Sequence, residues 1–159
     1  MDSILTLVMV LIFGTLGCVL LFRPSLYMNL KHVRDTYNPK LLARPSFRIN
    51  LRTMGLLFCL FILMPATQGL AAWTSNAFLS AFSKTLFQVL IVVFFVLWFG
   101  YVFDWVAGKL KIISPSFKER LDQLSPEQDA AFQRRETKIA GFALGSVLLL
   151  TGVITLARI

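Results

Sequence analysis

The sequence predicts an all-α, polytopic integral membrane protein with four transmembrane helices in one domain over 1–159, and three observations carry that prediction. Hydrophobic residues make up 57% of the chain, above the roughly 45–50% of soluble domains. The charge is segregated, nearly all of it within 23–52 and 104–138. A soluble fold scatters charge because every element needs a wet face, so segregation on this scale marks lipid as the solvent. Four stretches almost free of charge remain, at about 3–22, 53–72, 86–103 and 139–156. Each holds about 18–20 residues, enough at about 1.5 Å per residue for a hydrocarbon core of roughly 30 Å. None alternates as a barrel strand does, and helices satisfy their own backbone polar groups in lipid.

The first stretch reads as a retained helix rather than a signal peptide. Its flank, Met1-Asp2-Ser3, lacks Lys and Arg, and Leu21-Phe22-Arg23-Pro24 offers no small-residue cleavage site. Gly14 and Cys18 form a small-xxx-small pair, with Gly17 nearby, where another helix can approach closely. Cys18 and Cys59 both fall in predicted spans, where thiols behave as small apolar residues; a bridge between them is the less favoured reading.

The connection 23–52 carries Arg23, Lys31, Arg34, Lys40, Arg44, Arg48 and Arg52 against Asp35. Leu26, Leu30, Val33 and Tyr37 recur at helical spacing, which predicts a short amphipathic helix lying in the interface. Asn38-Pro39 ends it, and Pro45-Ser46 opens the second long helix, whose first turns present Arg48 and Arg52 on one face. Pro65 predicts a kink there, with the freed carbonyl served by Thr67, Gln68 or a neighbouring helix.

The connection 73–85 has only Lys84 for charge. In the third helix Phe87, Phe94, Phe95, Trp98, Phe99, Tyr101 and Phe103 lie on every side, which suits a lipid-exposed wall or a large partner surface. The connection 104–138 is basic again, with Lys109, Lys111, Lys118, Arg120, Arg134, Arg135 and Lys138. Basic connections stay cytoplasmic, which places both termini and 73–85 outside in a plasma membrane, with a bacterial inner membrane as the expected setting. Trp73 at one interface and Trp98, Tyr101 and Trp105 near the other agree with that orientation.

The net charge of +8 is explained on the same terms. Arg34, Arg44, Arg48, Arg52, Arg134, Arg135 and Lys138 are expected at the headgroups of an anionic inner leaflet, each worth about 1 kcal/mol near the surface. Nucleic acid is not an expected partner.

Ser116-Phe117-Lys118-Glu119 and Ser125-Pro126-Glu127-Gln128 both fit capping boxes, the second with Pro at the first helical position. The fourth helix is therefore expected to start near Pro126 and to project about three turns beyond lipid. That projection, with Asp129, Arg134, Arg135 and Glu136, reads as a solvated stalk or a docking surface. Further along, Gly141 and Gly145 form a GxxxG with Thr137 on the same face, for packing within the chain or against a partner.

A weak internal repeat runs through both halves. Pro24-Ser25-Leu26 resembles Pro115-Ser116-Phe117, and Arg52 to Gly55 matches Lys138 to Gly141 in type and spacing. The implied plan is two parallel hairpins about a pseudo-axis along the membrane normal.

The spans hold no ionisable group away from their ends, so no proton or ion path crosses the midplane. Asp104 is expected to pair with Arg52 or Lys138, and Gln68 and Gln88 to be buried polar groups bonding between helices. His32 with Asp35 and Tyr37 invites an enzymatic reading, but no motif-borne nucleophile or acidic pair accompanies them. Catalytic residues, cofactor and metal are accordingly none. The expectation is a non-catalytic protein acting by association, as an accessory or assembly subunit of a membrane complex or as a homo-oligomer. A small channel or transporter component, a membrane immunity protein against a toxin or phage component, and a lipid-modifying enzyme are the alternatives.

Overall fold

The computed structural model describes the backbone of residues 2–110 and 117–159 and, within them, the side chains other than those of 2, 3, 6 and 107–110. Those residues form α1 (Asp2–Phe22), α2 (Pro24–Met28), α3 (Lys31–Thr36), α4 (Pro39–Leu42), α5 (Pro45–Thr74), α6 (Ala77–Leu110), α7 (Phe117–Asp122) and α8 (Pro126–Leu156), with no strand among them. Three stretches are long and apolar enough to cross a membrane: Pro45–Thr74, Ala77–Val106 and Pro126–Leu156. The apolar part of α1, Leu7–Phe22, is shorter.

Local chemistry sets where the long helices begin and turn. At α5, Pro45 takes the first helical position, where its missing N–H costs nothing. Its neighbour Ser46 donates from both N and Oγ to the Asp122 carboxylate of α7, at 3.2 and 3.0 Å. An acid at a helix N-terminus both satisfies an orphan donor and complements the macrodipole.

The helix then continues through Pro65. Thr67 Oγ1 donates to the carbonyls of Leu63 and Met64 (2.9 and 3.0 Å), and Ser83 Oγ of α6 reaches Met64 O at 3.1 Å. At its end Ser75 adopts a left-handed conformation (φ 51°), and Asn76 caps α6 by accepting from Leu79 N at 3.2 Å. The hairpin is therefore tight, and most of the expected connection 73–85 is helix. Asn76 starts α6 well before the hydropathy rises.

At α8 the capping box is in place. Ser125 Oγ accepts from Gln128 N (3.3 Å) and Gln128 Oε1 accepts from Ser125 N (3.1 Å). The box expected at Ser116, the Pro115-Ser116 arm of the repeat and Lys111 lie outside the described residues. The single interfacial helix expected over Leu26 to Tyr37 is instead two, because Leu30 is extended (ψ 133°) between α2 and α3. Only Val33 of its stripe is buried.

At the centre stands α5, with α1 along one side and α6 returning along another, while α8 packs mainly on α6. The α1–α5 contact is backbone on backbone. A Cβ at Gly55 would collide with Leu21 N and stand 2.8 Å from Gly17 O; one at Gly17 would stand 3.1 Å from Cys59 N. Beside this crossing the free thiols of Cys18 and Cys59 lie 3.9 Å apart. A Cβ at Gly14 would meet Ile62 at 3.6 Å, so the small-residue side of α1 faces α5. Of the three long apolar helices α6 is the least buried, and Phe94, Phe95, Trp98, Phe99, Tyr101 and Phe103 all stand exposed.

Candidate functional site: a charged junction between three helices

The most organised polar chemistry lies where α1 ends, α5 begins and the first half of α8 passes. Arg48 and Arg52 sit one turn apart on α5, and Asp129 and Glu136 sit two turns apart on α8, so each helix presents two charges on one stripe. Arg48 Nε contacts both Glu136 oxygens at 3.0 and 2.9 Å, and its Nη2 reaches Asp129 Oδ1 at 2.6 Å. Arg52 Nε donates to Glu136 Oε2 at 3.1 Å. Its Nη1 donates to Leu21 O at 2.6 Å, a carbonyl of the last turn of α1 that has no helical partner. Gln133 Nε2 holds the second Asp129 oxygen at 2.9 Å.

Burial decides what this cluster is. The Glu136 side chain is 1% exposed and those of Arg48 and Arg52 are 11% exposed. Isolated charges so enclosed would be very costly; here two guanidiniums face two carboxylates. Planar guanidiniums suit such sites because each offers several fixed donors, so one residue can join two partners. Beside the junction, Leu21, Leu56, Phe132, Ile139 and Ala140 line a cleft of about 160 Å³ together with Arg52 and Glu136. Glu136 is thus a strut between helices.

The other expected residues fall as follows. Two of the seven basic residues assigned to headgroups, Arg48 and Arg52, are corrected to this internal cluster; Arg34, Arg44, Arg134, Arg135 and Lys138 are exposed. Asp104 does not pair with Arg52 or Lys138. Its Oδ1 accepts from Phe117 N at 2.7 Å, capping α7, because Glu136 already occupies Arg52.

Gln68 and Gln88 are exposed rather than buried, and Gln88 Oε1 accepts from Arg158 at 2.6 Å. Gly141 faces Phe22 of α1 at 3.8 Å, whereas the space around Gly145 is open and Thr137 is exposed. His32 and Asp35 are exposed and share no hydrogen bond among the described residues. No cluster of potential metal ligands occurs among the described residues.

Reading Glu136 as part of a solvated stalk misses its burial. The signal was present: Asp129, Phe132, Glu136, Ala140 and Ala143 recur at helical spacing, so the acids share a stripe with small and aromatic residues. No family model matches the chain, and no curated protein or solved structure is significantly similar to it.

Proposed function

We propose that the chain is a small, non-catalytic membrane protein that crosses the bilayer four times and acts by association, as an accessory or assembly subunit of a membrane complex or as a homo-oligomer. The observation that carries this reading is on α8. A Cβ added at Gly145 or Gly152 meets nothing within 4 Å, while Phe142, Leu149 and Val153 around them are exposed. Small residues allow helices in lipid to approach closely, and among the described residues no other helix fills the space over these two glycines. The exposed aromatic side of α6 is a second surface wide enough for a partner.

Because a Cβ added at Gly145 meets nothing within 4 Å, Gly145→Leu is expected to leave the isolated chain folded and to obstruct a partner. Gentle detergent extraction with mass measurement is expected to find a homo-oligomer or a stoichiometric partner, lost in Gly145→Leu. A lone monomer from the parent chain would overturn the proposal.

For α1 as the fourth span, support comes from its 21 helical residues and from its backbone seat against α5. Both long connections are basic, which supports their placement on the cytoplasmic side of a bacterial inner membrane with both termini outside. A reporter active only outside the cytoplasm, fused after Ile159, is expected to be active; a cytoplasmic carboxyl terminus would refute this orientation. The two-hairpin repeat rests on its sequence matches alone. Its two basic-Gly pairs meet different neighbours, Gly55 the backbone of α1 and Gly141 the ring of Phe22.

A further inference from the structure

A groove between α7 and the start of α8, about 420 Å³ in volume, combines two chemistries. Its walls are apolar, from Phe117, Leu121, Leu124 and Phe132, and its rim carries Arg120 and Arg135. Both arginines are exposed, and among the described residues neither has an acidic partner. This sets them apart from Arg48 and Arg52, whose guanidiniums are taken up internally.

The groove is also firmly placed. The start of α7 is capped by Asp104 of α6 (2.7 Å), and its last residue, Asp122, is bonded to Ser46 of α5 (3.2 and 3.0 Å). Leu121 between them is buried. These anchors hold the groove beside Ser46 at the start of α5 and Asp104 near the end of α6, which is headgroup depth on the four-span reading.

We propose that this groove binds one anionic phospholipid, its phosphate between Arg120 and Arg135 and the start of an acyl chain leaving along Phe117, whose N–H is held by Asp104 near the inner end of α6. The pairing of uncompensated guanidiniums with an apolar trough selects an amphiphile with a negative head, and guanidinium forks match phosphate oxygens. At this depth the abundant molecule of that description is a lipid of the cytoplasmic leaflet. The inference rests on the membrane reading and adds a defined site to it.

Native mass spectrometry of the full chain in detergent, titrated with phosphatidylglycerol or phosphatidylcholine, tests it. One phosphatidylglycerol per chain is expected to be retained, with about tenfold preference over phosphatidylcholine. Arg120→Gln with Arg135→Gln should abolish the preference, and Lys31→Gln with Arg34→Gln, on a different surface, should leave it unchanged. Equal retention of both lipids, or a preference that survives the Arg120/Arg135 change, would overturn the site. So would displacement of phosphatidylglycerol by an acidic amphipathic peptide at equal concentration, since the groove would then suit a protein segment. Alkaline carbonate extraction separates this from failure of the membrane reading. A chain that stays in the membrane pellet yet shows no selective retention fails the groove alone, and a chain that is extracted fails the membrane reading itself.

Discussion

Glu136→Gln is expected to destabilise the protein by about 3–5 kcal/mol, the usual cost of removing one partner from a buried charge cluster. The substitution keeps the shape of the side chain and removes one negative charge from between Arg48 and Arg52, whose side chains are 11% exposed. Arg48 keeps Asp129 at 2.6 Å, but Arg52 keeps only the neutral Leu21 carbonyl. Loss should therefore concentrate on the seating of α1 and α8 against α5. Thermal or denaturant unfolding in detergent gives the measurement, with exposed Glu127→Gln as the control, expected within about 0.5 kcal/mol of the parent. Replacing the whole cluster, Arg48, Arg52 and Glu136 by Met and Asp129 by Leu, should recover much of the loss, because an apolar cluster of similar volume is often as stable as the ion network it replaces. An unfolding midpoint for Glu136→Gln equal to the parent's would show that the cluster contributes nothing to holding the three helices.

The parts of this structure legible in the sequence are those that solvent and local chemistry decide. Long charge-free stretches mark α5, α6 and α8, since a chain in lipid has no other solution for its backbone. Pro45 and the Ser125–Gln128 box mark two helix starts because a cap needs only neighbouring residues. What stayed hidden depends on pairing across distance. Glu136 lies amid Arg134, Arg135 and Lys138 and looks solvated until α5 is set opposite it; then only Glu136, of those four, faces inward. Asp104 is similar, because its partner is a backbone N–H of α7 and not a charge. Gly55 was visible as a small residue, but no periodicity states that the backbone of α1 rests on it.

That crossing gives the second large effect. In a helix interior Ala is favoured over Gly by about 0.8–1.0 kcal/mol, so Gly→Ala tends to stabilise wherever space allows. At Gly145, where an added Cβ meets nothing within 4 Å, Gly145→Ala should be neutral or mildly stabilising. At Gly55 the added methyl meets Leu21 N, with Gly17 O and Leu20 C both at 2.8 Å. These are backbone atoms and cannot rotate away, so the helices must separate. Gly55→Ala is expected to lose about 1–3 kcal/mol and Gly55→Leu more, against the propensity gain. Separation also withdraws the Leu21 carbonyl from Arg52, which couples the crossing to the charged junction one turn away.

The thiols of Cys18 and Cys59, 3.9 Å apart beside the crossing, provide a direct readout. Mild oxidation with copper–phenanthroline should join α1 to α5 rapidly in the parent and in Gly145→Ala, and slowly in Gly55→Leu. Failure of the parent to cross-link would contradict the register of α1 on α5. Equal cross-linking and equal stability in Gly55→Leu would show that the close approach at Gly55 is not what holds the two helices together.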